Sequence, residues 1–221
     1  MCGRYTLALP STKLFERFGL EGDAPEITPN YNVAPTQSVA AVLEEDGGRR
    51  LEMLRWGLVP SWAKDLSIGS RMINARSETA HEKPSFRSAF KRRRCLIPAD
   101  GFYEWKREEI GGKQPFHIRM GDGEPFAFAG LWESWDGGEG EVRTCAILTT
   151  EANEMMGEIH HRMPVILPAD LYEAWLGDEA EKQELASMME PYPSGPMEAY
   201  PVDRFVNKPS NNDPRCIEPA A

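Results

Sequence analysis

Apolar residues recur along this chain in two rhythms. Over residues 11–19 the stretch STKLFERFG sets Leu14, Phe15 and Phe18 on one side at helical spacing. The pattern predicts a helix capped by Ser11 or Thr12 and stopped by Gly19. Further on the rhythm shortens: SVAAVLEE and RRLEMLRW flank Asp46-Gly47-Gly48, which is a hairpin signal. DGFYEWKRE, QPFHIRM, EPFAFAGLWES and VRTCAILTTEA then follow as strands separated by Gly-rich turns, a run that suits an antiparallel meander. ADLYEAWLG and EAEKQELASMM read as helices, and the tail from Pro191, rich in Pro and Asn, reads as irregular but packed. Strands dominate the middle and helices surround them. The expected fold class is therefore α+β: a single domain over 1–221, built on a curled, mainly antiparallel sheet or partly open barrel with peripheral helices.

A chain of 221 residues with 41% hydrophobic content can bury one sizeable core. The start has no basic stretch leading into an apolar run, and no window approaches the roughly 18 apolar residues of a spanning helix, so a cytoplasmic protein without membrane contact is expected. Cys2, Cys95, Cys145 and Cys216 are widely spaced, with no C-x-x-C pair. That spacing argues against a zinc knuckle or redox motif, and neither metal nor organic cofactor is expected. The net charge of −10 argues against nucleic acid until its distribution is read. Between Glu133 and Glu190 fourteen acids face only Arg143, Arg162 and Lys182, whereas Lys83 to Arg94 holds six bases and no acid. Phe86 and Phe90, at i and i+4, would anchor one face of that basic run and leave its bases outward, and Arg71 and Arg76 shortly precede it. The run reads either as a solvated helix face or as part of a positive groove.

Four polar positions stand out. Cys2 lies where loss of Met1 would leave a thiol beside a free α-amine. Asn74 ends a short apolar run where a helix should begin, as an N-cap or turn residue would. Alternation puts Glu104 on one strand face with Phe102, where it either pairs with a Lys or is buried enough for proton transfer. His160 and His161 lie between a helix and a strand and point different ways.

Taken in order, MCGRY, YNVAPTQ, RWGLVPSW, INARSET, IPADGFYEWK and IHHRMPVIL resemble the SRAP family (SOS-response-associated peptidase), whose members crosslink to abasic sites in DNA. The resemblance spans nearly the whole chain, although VDRFVNKPSNNDP keeps only part of the pattern. It implies Cys2, Asn74, Glu104 and His160 as catalytic positions, with His160 chosen over His161 by the pattern Ile-His-x-Arg-x-Pro. It further implies single-stranded DNA containing abasic sites as partner, a monomer, association with the nucleoid when bound, and no metal or cofactor. Arg4, Arg71, Arg76, Arg87 and Lys91 would hold phosphates. Trp56 and Trp62 would stack on bases, or equally be core tryptophans.

The chemistry accounts for these residue types. An opened abasic sugar exposes an aldehyde, which an α-amine of pKa about 7.7–8.0 can capture near neutral pH. The thiol of the same residue then closes a thiazolidine, a step favoured by proximity. Glu104 would move protons, His160 would protonate the ring oxygen or stabilise the opened sugar, and Asn74 would orient the amine or sugar. Met1 would be removed by the chain itself or by an aminopeptidase, and lyase activity through the Schiff base is also implied. Two rival readings are an N-terminal-nucleophile glutamine amidotransferase, because Met-Cys-Gly also opens such chains, and a non-covalent reader of single-stranded or modified DNA.

Overall fold

A computed structural model of the chain describes residues 2–20, 27–45, 47–138 and 140–220. In chain order its elements are β1 (Tyr5–Leu7), α1 (Ser11–Phe18), β2 (Asn30–Val33), β3 (Ser38–Glu45), β4 (Gly48–Trp56), β5 (Asn74–Arg76), α2 (Ser77–Ala80), α3 (Arg87–Arg92), β6 (Arg94–Ala99), β7 (Gly101–Arg107), β8 (Lys113–Met120), β9 (Phe126–Asp136), β10 (Glu141–Glu151), α4 (Glu154–Gly157), β11 (Arg162–Pro164), β12 (Ile166–Leu167), α5 (Tyr172–Leu176), α6 (Lys182–Ser187) and β13 (Met197–Pro201).

Five strands close on themselves: β10 pairs with β4, β4 with β3, β3 with β6, β6 with β9, and β9 with β10 again. Closure leaves this ring no open edge, and β5, β11 and β12 extend it where its strands outrun one another. A second sheet runs β13-β8-β7-β1-β2. The two meet through aromatic rings: Tyr5 of β1 lies edge-on to Trp56 at 5.3 Å and to Phe128 at 5.7 Å, and Phe102 of β7 lies 6.0 Å from Phe128. Val42, Leu54, Leu96, Phe128 and Ile147 join these rings in one continuous buried cluster. A smaller cluster of Tyr103, Val202, Val206 and Cys216 lies under the C-terminal segment. The α+β class, the curled and mainly antiparallel sheet and the peripheral helices are as the sequence predicts.

Local details differ from the sequence reading for physical reasons. α1 buries Leu14 and Phe18 and ends at Gly19 (φ 60°), as expected, but Pro10 occupies the cap position with no side-chain bond, so neither Ser11 nor Thr12 caps the helix. β3 and β4 pair from Glu45↔Gly48 outward, whereas Asp46 of the expected hairpin turn lies outside the described residues. The meander breaks between β8 and β9. β8 alternates in burial and takes β13 on its free edge, while β9 is buried almost throughout, as its FAFAGLW run requires of a strand covered on both faces. β10 also makes two parallel pairings, to β4 and β5. The tail is packed but not wholly irregular, since it supplies β13. A Cβ on Gly57 would meet the Gly69 carbonyl oxygen at 2.6 Å, so these two glycines permit the close backbone approach that brings the chain round to β5. Among the described residues no helix is long and apolar enough to cross a membrane.

Candidate active site

The second residue of the chain is fully buried. β1 runs antiparallel to β7 with Tyr5 opposite Phe102, and the Tyr103 amide donates to the Arg4 carbonyl at 2.9 Å, which carries residues 2–4 along β7 towards Glu104. Strand alternation puts Glu104 on the Phe102 side, where Cys2 packs, and Glu104 is only 4% exposed. Across the site, β5 is fixed by parallel pairing of Asn74, Ala75 and Arg76 with Ile147, Leu148 and Thr149. Asn74 opens that strand and is neither an N-cap nor a turn residue, because α2 begins only after Arg76. Its Nδ2 donates to the Cys2 carbonyl at 2.7 Å. The Asn74 Oδ1 atom is buried and has no hydrogen-bond partner among the described residues.

The electrostatics of this cluster hold the thiol in its neutral form. Burial is the largest cause of the rise in the Cys2 pKa, the Glu104 charge adds to it, and a hydrogen bond from the Arg4 amide only partly offsets both. Near neutral pH the group beside Glu104 is an SH, a poor nucleophile until something takes its proton.

His160 stands on the far side of β10. It follows α4, which Asn153 caps by accepting the Met156 amide at 2.8 Å, and its ring stacks on His161 with centroids 4.4 Å apart. His160 Nδ1 lies 3.0 Å from the Arg162 amide and 3.1 Å from the Arg162 carbonyl, so the backbone of Arg162 fixes the orientation of the ring. Arg162 then reaches across β10. Its guanidinium forms a two-point pair with the Glu78 carboxylate, one contact at 3.0 Å, and donates to the Thr149 carbonyl at 2.5 Å. This pair holds the Glu78 carboxyl below its usual range. Thr149 is paired with Arg76 of β5 and with Pro164 of β11, so β10 is the scaffold on which the Asn74 and His160 sides are mounted.

A family model described as SOS response associated peptidase (SRAP) matches residues 1–209. The chain belongs to the SRAP family. It is 47% identical over 222 residues to the Abasic site processing protein YoqW of Bacillus subtilis (strain 168), with 99% of each chain covered. It is 34% identical over 225 residues to the Abasic site processing protein HMCES of Gallus gallus, covering 86% of this chain and 66% of that protein. A crystal structure of a protein from Bacteroides thetaiotaomicron superposes with a TM-score of 0.91 at 30% identity, over the whole of both chains.

In this SRAP chain the residues expected to meet DNA fall into four groups. Arg71, Arg76 and Trp62 are exposed on the segment that leads into and through β5, Trp62 at 60%. Arg4 is half-buried, with Nη1 donating to Asn32 Oδ1 at 2.7 Å and to the Val206 carbonyl at 2.9 Å, so this side chain is committed to the C-terminal segment. Trp56 is wholly buried, with Nε1 on the Ile73 carbonyl at 2.9 Å, and its ring presents no face to a base. It supports the approach to Asn74 from the core. Arg87 and Lys91 line a different hollow, together with Phe90, Arg94 and Lys182.

Sequence reading missed two residues that the structure makes prominent. Asn32 is 1% exposed and donates through Nδ2 to the carbonyls of Val206, Lys208 and Asn211 at 2.8–3.1 Å while accepting from Arg4. The signal was an amide between Tyr31 and Val33 in a strand. Arg162 was visible only as a base in the acidic stretch and as a letter in the histidine motif.

Proposed function

We propose that this SRAP chain processes abasic sites in DNA by capturing the lesion covalently through Cys2 once Met1 has been removed. The observation that carries the reading is the burial of a second-position cysteine beside Glu104, with its carbonyl held by Asn74. A chain end normally frays, and this one is built into the core instead.

The α-amine of Cys2 adds to the aldehyde carbon of the opened sugar. Glu104 takes up the proton that the α-ammonium sheds on becoming a nucleophile and delivers it to the resulting hydroxyl, which leaves as water, and an iminium remains. The order of steps follows from the raised thiol pKa, since the amine must act first while sulfur is still protonated. The new positive charge beside the thiol then lowers its pKa, and the Glu104 carboxylate accepts its proton as the carbon–sulfur bond forms. The product is a thiazolidine, and reversing the same proton transfers would open it. Asn74 Oδ1, buried and without a partner among the described residues, receives an N–H of the amine or a hydroxyl of the sugar. His160, its ring held by the Arg162 backbone, assists opening of the sugar ring. Arg71 and Arg76 hold phosphates, and Trp62 stacks on an unpaired base, which favours single strands and junctions over intact duplex.

Denaturing gels of the protein with an abasic oligonucleotide test the reading against its rivals. Wild type is expected to give a heat-stable band without reductant, and Cys2→Ala to give one only after borohydride trapping. Release of ammonia from glutamine, or a shift that denaturation abolishes, would assign the chain to an amidotransferase or to a passive reader instead.

A further inference from the structure

The basic run that contains α3 does not sit at Cys2. Cys95 pairs with Gly130, Gly130 with Ile147, and Ile147 with Asn74, so three strand spacings, about 14 Å along the sheet, separate β6 from β5. On the β6 side, α3 and α6 enclose a hollow of about 340 Å³. Phe90 and Leu185, both buried, form its apolar floor, and Arg87, Lys91 and Lys182 stand exposed around it. Arg94 lines the wall, its side chain only 2% exposed.

Arg94 is a buried cation short of counter-charge. Its N–H groups donate to the carbonyls of Trp175, Phe90, Lys91 and Gly177, which satisfy hydrogen bonding without supplying net negative charge. Among the described residues the one carboxylate within 4.0 Å is that of Asp178, and it is 83% exposed. Burial lowers the guanidinium pKa accordingly. Against this one carboxylate the lining sets Arg87, Lys91, Arg94 and Lys182, so the hollow is net positive and suits an anion.

The surroundings choose the class of anion. Next to this hollow, and sharing Asp178 and Ala180 with it, lies a second one lined by Glu44, Asp170, Glu173, Glu179 and Glu184. A DNA strand carries a charge about every 3.4 Å and would run on into that acidic wall. A short peptide can end before it. We propose that the α3–α6 hollow docks an acidic peptide segment bearing one large apolar side chain, with the apolar group on Phe90 and Leu185 and the carboxylates on Arg87, Lys91 and Lys182. Such a partner would be held close to the DNA site without covering Cys2, and the inference stands independently of the abasic-site reading.

Fluorescence anisotropy with a labelled oligo-aspartate peptide containing one central phenylalanine tests it. A second peptide with serine in place of phenylalanine and an undamaged oligothymidine serve as the comparison arms. The expected result is saturable, salt-sensitive binding of the first peptide, about tenfold weaker binding of the serine peptide, and no displacement by oligothymidine. Lys182→Glu, at an exposed position, should weaken the phenylalanine peptide about threefold or more and leave abasic-DNA crosslinking and Tm unchanged. Absence of saturable binding, equal affinity for both peptides, or an unaltered affinity in Lys182→Glu would overturn the proposal. So would oligothymidine displacing the peptide, which would assign the hollow to nucleic acid.

Discussion

Along β7 the side chains alternate between two environments that treat polar groups in opposite ways. Tyr103 and Trp105 face the C-terminal segment, where the chain satisfies its own polar groups: the Tyr103 hydroxyl donates to the Tyr31 carbonyl at 2.7 Å, Trp105 Nε1 to Asn207 at 2.7 Å, and Asn32 to three tail carbonyls. Phe102 and Glu104 face Cys2, where Asn74 Oδ1 is buried without a partner among the described residues and a neutral thiol lies against a carboxylate. Buried polar groups are nearly always paired, so an unfilled acceptor beside a nucleophile marks the face kept for a ligand. The face under the C-terminal segment is a clamp, closely satisfied except at Arg4 Nε, and it holds the segment from which the reactive residue extends.

The contrast predicts that substitutions on the two faces fail differently. Glu104→Gln keeps shape and removes the proton carrier, so adduct formation with abasic DNA should slow by about 10²-fold or more while Tm moves little. Single-turnover crosslinking beside a thermal melt checks this, and a large loss of Tm at full rate would place Glu104 with the clamp. Asn32→Ala should do the reverse, removing three donations to the tail carbonyls and the acceptor of Arg4 Nη1, which keeps only the Val206 carbonyl. A destabilisation of about 2–3 kcal/mol in urea melts is expected, with crosslinking by the folded fraction largely retained.

The smallest effect concerns acid. His117 packs beside Tyr103 at 5.1 Å, bonds the Tyr200 hydroxyl at 3.0 Å, and has its pKa lowered to about 3 by burial and then by the Arg119 charge. A base depressed in the folded state leaves stability full above the unfolded value of about 6.5, and stability is lost as pH falls towards 3 because only the unfolded chain takes the proton. Between pH 7 and pH 5 this amounts to about 2 kcal/mol. His117→Gln should flatten that part of the stability–pH curve, and an equally steep curve in the variant would assign the acid sensitivity elsewhere.

Much of this arrangement was legible in sequence wherever the cause was local. The periodicity of α1 with its Gly19 stop and the alternation that put Phe102 with Glu104 follow from side-chain spacing alone. The pairing of β3 with β4 was equally local, set by the two runs flanking the turn. Partner choice between distant segments was not local: nothing in QPFHIRM says that β8 leaves β9 for β13, or that β10 takes β4 and β5 in parallel. The same limit explains the basic run. Spacing showed which face of α3 Phe90 would bury, but not that the helix docks beside α6, three strands from Asn74. Cys2, Glu104 and Asn74 were each singled out by chemistry or resemblance, whereas their convergence depends on the β1–β7 and β5–β10 registers. Asn32 and Arg162 were passed over because their roles lie entirely in long-range hydrogen bonds.

Capture by both arms of Cys2 is tested most directly by the intact mass of the adduct formed with an abasic oligonucleotide in the absence of reductant. The predicted mass is that of the oligonucleotide plus the chain beginning at Cys2, less one water, in a species that survives heating and that Cys2→Ala does not form. An adduct that retains Met1, or a heat-stable adduct of the same kind in Cys2→Ala, would contradict the thiazolidine and require another nucleophile.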